Sequence, residues 1–222
     1  DLRYIKFGEL EIIRRIYAAV RDRNWGTVPG AISDLQTSIA PDSFRIAYVS
    51  THRRDEIHFV WQAEIAGQAD GTIRFTFDGE ARTTFLRNRI GFCVLHPAAC
   101  AGMRCLVERG AGPPAEVMFP RLVEAAQPVP GVHDLAAFAH EVAPGVWAEL
   151  HFTGERFEME DQRNWIDASF KTFCTPLHLP YPVEVPALTR IRQRIFLKLI
   201  ARRPLPAMTA EVRSPLRIAL TS

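Results

Sequence analysis

The chain has 222 residues, 47% hydrophobic and 23% charged, with a formal net charge of +2. This apolar content can fill a core, which excludes disorder, and so small a charge gives no electrostatic case for nucleic acid. No run reaches the roughly 18–20 apolar residues of a membrane span, and no apolar segment follows a basic start as in a signal peptide.

Alternation with period two dominates from the start. In residues 14–21 (RRIYAAVR), Ile16, Ala18 and Val20 share one face and Arg15, Tyr17, Ala19 and Arg21 the other. Residues 44–50 (FRIAYVS) are rich in strand formers but alternate loosely, with Phe44, Ala47 and Val49 as the apolar set. Residues 56–65 set Ile57, Phe59 and Trp61 against His58, Val60 and Gln62, and residues 72–79 set Ile73, Phe75 and Phe77 against Arg74, Thr76 and Asp78. Such patterns mark strands with one buried face. Asp70-Gly71, Asp78-Gly79 and Pro144-Gly145 supply turn signals between them.

Residues 83–97 (TTFLRNRIGFCVLHP) form an apolar strand interrupted by Arg87, Asn88 and Arg89, then Gly91. The interruption is either a bulge with its polar side chains in solvent or a set of multi-donor groups for hydroxyls and carboxylates. Residues 109–131 and 176–186 hold too many prolines for a central strand and are predicted loops. Residues 134–142 (DLAAFAHEV) fit the first arm of a hairpin closed at Pro144-Gly145 better than a short helix. Residues 189–203 carry Arg190, Arg192, Arg194, Lys198, Arg202 and Arg203 with no acidic residue, which fits a blunted edge strand better than a nucleic-acid stripe. The chain ends on another strand-like run. Long helices are scarce, and the fold class is all-β: a large antiparallel β-sandwich, supersandwich-like, spanning 1–222.

The chemistry-bearing motifs are fewer. There is no GxSxG, HExxH, GxxxxGK[ST] or GxGxxG. The four cysteines, Cys93, Cys100, Cys105 and Cys174, make no CxxC pair and read as reduced thiols of a cytoplasmic protein, with Cys93 and Cys174 filling core space. His96, Cys100 and Cys105 match no common zinc spacing, so no metal and no cofactor is expected. The densest polar stretch is FEMEDQRNWIDASFKTF, residues 157–173. As a strand it puts Phe157 and Met159 on one face and Glu158 and Glu160 on the other. Two such carboxylates lie roughly 6.5–7 Å apart, a separation that suits work on either side of a water or the binding of sugar hydroxyls. Trp165 offers a flat face on which a sugar stacks. Arg163 can neutralise Asp161 or Asp167, and Asp167 can pair with Lys171. The alternative is a salt-bridged turn that locks two sheets together.

Three segments, RRIYAAVRDRNWGTVP (14–29), FLRNRIGFCVLHP (85–97) and FEMEDQRNWIDASFKTFCTPL (157–177), resemble the amino-terminal region of the D-apionate lactonase family. The resemblance implies a sugar-lactone hydrolase of bacterial carbohydrate catabolism, with a β-sandwich first, a (β/α)-barrel next and a small β region last. The start at Asp1 and the abrupt end would then make this chain the first module only. Opening a lactone needs an activated water and a stabilised oxyanion. Glu158 and Glu160 are the candidate bases. Arg87, Asn88, His96, Asp161, Arg163, Asn164, Trp165 and Lys171 are the candidate ligand contacts, with Arg87 and Arg163 holding negative charge. The expected partners are a small sugar lactone or sugar acid and the downstream catalytic domain, with neither nucleic acid nor membrane. A non-catalytic carbohydrate-binding or interdomain module, as in a glycoside hydrolase or mutarotase-like protein, is the alternative.

Overall fold

Alternating apolar side chains along extended segments can leave water only by facing a second sheet, and the chain folds accordingly. The computed structural model describes residues 1–110 and 112–201. The last strand-like run, and Arg202 and Arg203 of the basic stretch, lie outside the described residues. The first half forms β1 (Leu2–Phe7), β2 (Leu10–Asp22), β3 (Gly30–Ala40), β4 (Ser43–Arg54), β5 (Ile57–Gly67), β6 (Ile73–Ala81) and β7 (Phe85–Pro97). The second half adds β8 (Arg104–Arg109), β9 (Ala115–Met118), β10 (Leu135–Ala143), β11 (Val146–Thr153), β12 (Glu158–Asp161), β13 (Ser169–Phe173), β14 (Val183–Val185) and β15 (Arg190–Ala201).

The strands make two antiparallel sheets. A six-stranded sheet runs β1-β2-β7-β13-β12, with β14 also pairing β7, and a nine-stranded sheet runs β3-β4-β5-β6-β15-β11-β10-β8-β9. The all-β sandwich read from the pattern is the fold observed. Between the sheets lie Ile16 and Val20 of β2, Ile90, Phe92 and Val94 of β7, and Phe59, Phe75, Phe77, Leu150 and Ile195 of the larger sheet, all nearly inaccessible. Phe75 and Phe77 meet Phe92 edge-on across the interface at 4.8 and 5.9 Å. Such pairs add about 0.5–1.5 kcal/mol beyond the area they bury.

Polar side chains cross the core: His140 of β10 reaches the Ile12 carbonyl of β2 at 3.2 Å. Gln193 of β15 is 3% exposed and reaches from the nine-stranded sheet to β7. Its Oε1 accepts from the Phe92 N–H at 2.9 Å and from the Cys174 thiol at 3.3 Å, and its Nε2 donates to the Ile90 carbonyl at 3.3 Å. Gly91 makes this possible. Its φ is +142°, and a Cβ there would meet the Gln193 amide at 2.3 Å and Cys174 Sγ at 2.4 Å.

Several sequence expectations change. Asp78-Gly79 is no turn: both lie inside β6, and Gly79 is needed because a Cβ would sit 2.4 Å from the Phe59 ring. Asp70-Gly71 and Pro144-Gly145 do turn the chain, the latter between β10 and β11, so residues 134–142 are the hairpin arm. The inward set of β4 is Tyr48, Ser50 and His52, not Ala47 and Val49. His52 makes the polar pair tolerable inside. Its Nδ1 donates to the Val28 carbonyl (2.9 Å), and its Nε2 accepts from Trp61 Nε1 (2.9 Å) with Ser50 Oγ at 3.1 Å. The basic strand β15 is not an edge but lies between β6 and β11. Arg190 pairs with Glu80 and Arg192 with Asp78 across the β6 ladder, and Lys198 pairs with Asp70. The proline-rich stretches are loops apart from the short β9, at a sheet edge, and β14.

His96 and His140 are fully buried, with ring centroids 5.4 Å apart among Phe119 and Phe138. Burial pushes His140 down to about 4, and burial together with the neighbouring His140 pushes His96 well below the ordinary range. Unfolded imidazoles titrate near 6.5, so above that pH neither state takes up a proton at these sites. Below it the unfolded chain binds protons that the native state refuses, and stability falls until native His140 itself protonates. For His140 the loss between pH 6.5 and 4 is roughly 3 kcal/mol. Urea midpoints measured from pH 7.5 down to 5 are expected to fall below pH 6.5, with a shallower decline in the His96→Gln, His140→Gln double variant. An undiminished slope in that variant would assign the proton uptake elsewhere.

Candidate functional site

The strands that bury Ile16, Val20, Phe92 and Met159 present the intervening residues on the opposite side of the six-stranded sheet. There Ala19 of β2, Cys93 of β7 and Phe173 of β13 form a small apolar cluster of their own, flanked by Tyr17 and Leu177. Cys93 therefore packs on the outer face, not in the core between the sheets. Above this floor opens a cleft of about 750 Å³, within the usual range for small-molecule sites.

Two indoles line it, Trp25 and Trp165, exposed by 41% and 56%. Trp25 has φ +66°, a left-handed conformation that costs a non-glycine residue about 1–2 kcal/mol. Asp22 holds it there: its Oδ1 accepts from the Asn24 and Gly26 N–H groups at 2.8 Å, its carbonyl accepts from the Trp25 N–H, and its carboxylate pairs with Arg54. Burial pushes the Asp22 carboxyl up, but those N–H groups and Arg54 outweigh it and hold it below the usual range. Trp165 ends a one-turn 3₁₀ helix, Gln162–Trp165, whose N-cap is Asp161.

Polar groups converge on the floor. Glu160 Oε2 accepts from Lys171 Nζ at 3.1 Å and Gln162 Nε2 at 2.7 Å, and both Glu160 and Lys171 line the cleft. Arg89 is 4% exposed, with its guanidinium 5.2 Å from the Trp25 ring and 4.8 Å from the Tyr181 ring. Glu158 projects from the same face as Glu160 but lies beneath the cleft, 1% exposed, its Oε1 accepting from the Leu177 N–H at 2.6 Å. Burial, reinforced by Glu160, raises the Glu158 carboxyl above the ordinary range despite that bond.

The predicted site residues thus divide. Glu160, Trp165 and Lys171 meet in the cleft, with Glu158 below them. Asp161 and Arg163 do other work. The Asp161 carboxylate, fully buried, accepts from Arg163 Nε and Nη2 at 2.8 and 2.7 Å and from the Glu124 N–H at 2.8 Å. Arg163 donates onward to the carbonyls of Pro120, Arg121 and Leu122. This pair fastens the proline-rich segment to β12. Asp167 takes neither Arg163 nor Lys171, because Asp161 and Glu160 are nearer partners on the same ribbon. Asn164 is exposed on the 3₁₀ turn. His96 faces the opposite way, into the core, with Nε2 2.9 Å from Thr172 Oγ1. Asn88 is the extra residue of a bulge in β7, where the register with β2 skips from Arg89 to Arg87, and it is 1% exposed. Arg87, half-buried beside it, is not among the cleft-lining residues. Arg21, Trp25 and Arg89, which do line it, were not among the site residues drawn from the sequence. The signal for Arg89 was present, a charged residue at an outward position of an apolar strand.

An all-β sandwich with an aromatic- and charge-lined cleft on one outer face is the class that fold and site define. The chain belongs to the D-apionate lactonase N-terminal domain family, whose model matches residues 1–202. It is 36% identical over 222 residues to the D-apionate lactonase of Brucella anthropi, an alignment covering 99% of this chain and 36% of that protein. The chain thus spans about a third of the length of the curated relative it matches. Among solved structures, a candidate aldose 1-epimerase from Escherichia coli K12 aligns with TM-score 0.49 and 14% identity over 85% of this chain and 84% of that one. The galactose 1-epimerase of Lactobacillus acidophilus NCFM aligns with TM-score 0.45 and 8% identity over 77% and 67%. Among the described residues no helix is long and apolar enough to cross a membrane.

Removing one partner of a buried ion pair strands the other charge, at a cost of about 3–5 kcal/mol. Asp161→Ala is therefore expected to lose stability on that scale in urea unfolding and to expose residues 119–127 to proteolysis. Asn164→Ala, on the exposed turn, is expected to stay within about 0.5 kcal/mol of the parent. Equal effects of the two would show that the Asp161–Arg163 pair fastens nothing.

Proposed function

We propose that this chain is the amino-terminal domain of a carbohydrate-catabolic enzyme that hydrolyses a sugar lactone to the sugar acid, and that the outer cleft binds the sugar. The observation that carries the reading is the cleft itself, in a chain of this family: Trp25 and Trp165 offer flat apolar faces, while Glu160 and Lys171 offer an acceptor and a donor for hydroxyl groups. Glu160 Oε2 is engaged by Lys171 and Gln162, and Oε1 is left to accept from a ligand. Hydrogen bonds to charged groups contribute about 1.5–3 kcal/mol each, enough to orient a small polyol.

In the hydrolysis, water adds to the lactone carbonyl, the ring C–O bond breaks, the ring oxygen leaves as a hydroxyl, and the acid formed releases its proton. A base beside the carbonyl and donors for the oxyanion are required. Glu158 is a poor base here, since it lies beneath the cleft with one oxygen on Leu177. We therefore assign this domain to binding, and the attack on the carbonyl to a following catalytic domain of the full-length enzyme. The share of the Brucella anthropi relative that aligns, 36%, leaves room for such a domain. Four buried, unpaired thiols favour a reducing compartment, and we place the protein in the cytoplasm.

Lactone hydrolysis by the full-length enzyme tests this. Glu160→Gln and Trp165→Ala are expected to raise KM about tenfold while kcat stays within about threefold, the signature of lost uniform binding. A kcat loss of 100-fold or more in Glu160→Gln would make it the base. Unchanged kcat and KM in both variants would reduce the cluster to scaffolding.

A further inference from the structure

The cleft is short of negative charge. Its lining holds three cations, Arg21, Arg89 and Lys171, and one carboxylate, Glu160. Lys171 is matched by Glu160. Arg21 and Arg89 have no carboxylate partner among the described residues. Arg21 Nη1 donates to the Trp25 carbonyl at 3.1 Å, and Arg89 donates from Nη1 to the Asn88 carbonyl at 2.7 Å and from Nη2 to the Pro176 carbonyl at 3.0 Å. These bonds fix the Arg89 guanidinium but leave it without an ion-pair partner among the described residues, and Arg89 Nε has no hydrogen-bond partner. The outer face of the larger sheet is built differently. In its own depression, of about 470 Å³, Glu64 takes both Arg45 and Arg74.

A buried cation without a counterion is costly. Two aromatic faces, of Trp25 and Tyr181, recover part of that cost for Arg89. Glu158 lies near enough to favour the Arg89 charge but makes no ion pair with it, while burial and the Arg87 charge lower the Arg89 guanidinium. The site is thus preorganised to gain from an incoming anion, and guanidinium forks match carboxylates.

We infer that Arg89, with Arg21 beside it, is a carboxylate subsite, so that the cleft takes polyhydroxylated monocarboxylates, the ring-opened sugar acid in preference to the neutral lactone. This deepens the reading of the cleft as a sugar site, and it makes the hydrolysis product a competitor of the substrate. Titration calorimetry of the protein with D-gluconate and D-erythronate, each against its uncharged alditol, sorbitol and erythritol, tests it. At least one acid is expected to bind ten or more times tighter than its alditol. Arg89→Gln is expected to lose 30-fold or more in affinity for that acid, Arg89→Lys less, and Arg21→Gln about three- to tenfold. Since Arg89→Gln could unfold, the Arg89 side-chain N–H resonance of the unaltered protein gives a second readout. It is expected to move on adding the acid and to stay still with the alditol. No saturable binding of either acid up to about 20 mM, equal affinities for acid and alditol, or a folded Arg89→Gln variant of unchanged affinity would each overturn the inference. Acid binding in an enzyme that opens no lactone would sink the proposed function and leave this subsite standing. Lactone opening without Arg89-dependent acid binding would do the reverse.

Discussion

The register of β7 is the constraint on which both faces of the six-stranded sheet depend. β7 pairs with β2, β13 and β14 at once, so a slip of one residue would send Phe92 outward and Cys93 inward along its whole length. The hydrophobic pattern resists that slip, and Gln193 adds a polar lock around Gly91, beyond the bulge at Asn88. Two backbone groups of β7, the Phe92 N–H and the Ile90 carbonyl, are met by its side-chain amide. A buried, bonded amide tolerates no shift in register, because each of its partners would be left unsatisfied in a low-dielectric interior. Gly91 is the backbone counterpart of that lock, since a Cβ there would meet the Gln193 amide and Cys174 Sγ.

From this register the outer face follows. Positions that alternate with the core residues bring Ala19, Arg89, Cys93, Lys171 and Glu160 onto one surface. The polar stretch after Phe157 then separates by depth. Asp161 and Arg163 saturate each other and the proline-rich segment, so their charges are used up in holding the fold. Glu160 and Lys171 are matched to each other with one carboxylate oxygen to spare. Arg89 and Arg21 have no ion-pair partner among the described residues. The chemical character of the cleft comes from that remainder, and the total of charged residues says nothing about it, since charges elsewhere pair across strands as Arg190 does with Glu80 and Arg192 with Asp78.

Much of the fold was legible in the sequence because it rests on local alternation. β2, β5 and β6 fold on the faces their patterns mark, and the hairpin at Pro144-Gly145 follows from its turn residues. What stayed hidden depends on contacts far apart in the chain. The inward face of β4 carries Ser50 and His52, which look like solvent positions until Trp61 and Val28 arrive to bond them. Gly79 looked like a turn because nothing local announces the Phe59 ring above it. β15 looked like an edge because the carboxylates that neutralise it sit on β6, more than 100 residues earlier. The candidate site was half legible: density of charge beside Trp165 marked Glu160 and Lys171, but the same density drew in Asp161 and Arg163. His96, a candidate ligand contact by sequence, turns into the core, and nothing local announces the Phe119–His140 cluster it joins. Arg89 was passed over because Arg87 and Asn88 share its local pattern, and only the bulge at Asn88 decides which of the three faces the cleft.

We place the ligand on the outer face of the six-stranded sheet and not on that of the nine-stranded sheet. Amide hydrogen exchange of the protein with and without saturating sugar acid tests this directly. Added protection is expected around residues 19–26, 89–93 and 160–177 and nowhere along β4–β6 or β15. Protection centred on those strands of the larger sheet, with the loops carrying Trp25 and Trp165 unchanged, would contradict it.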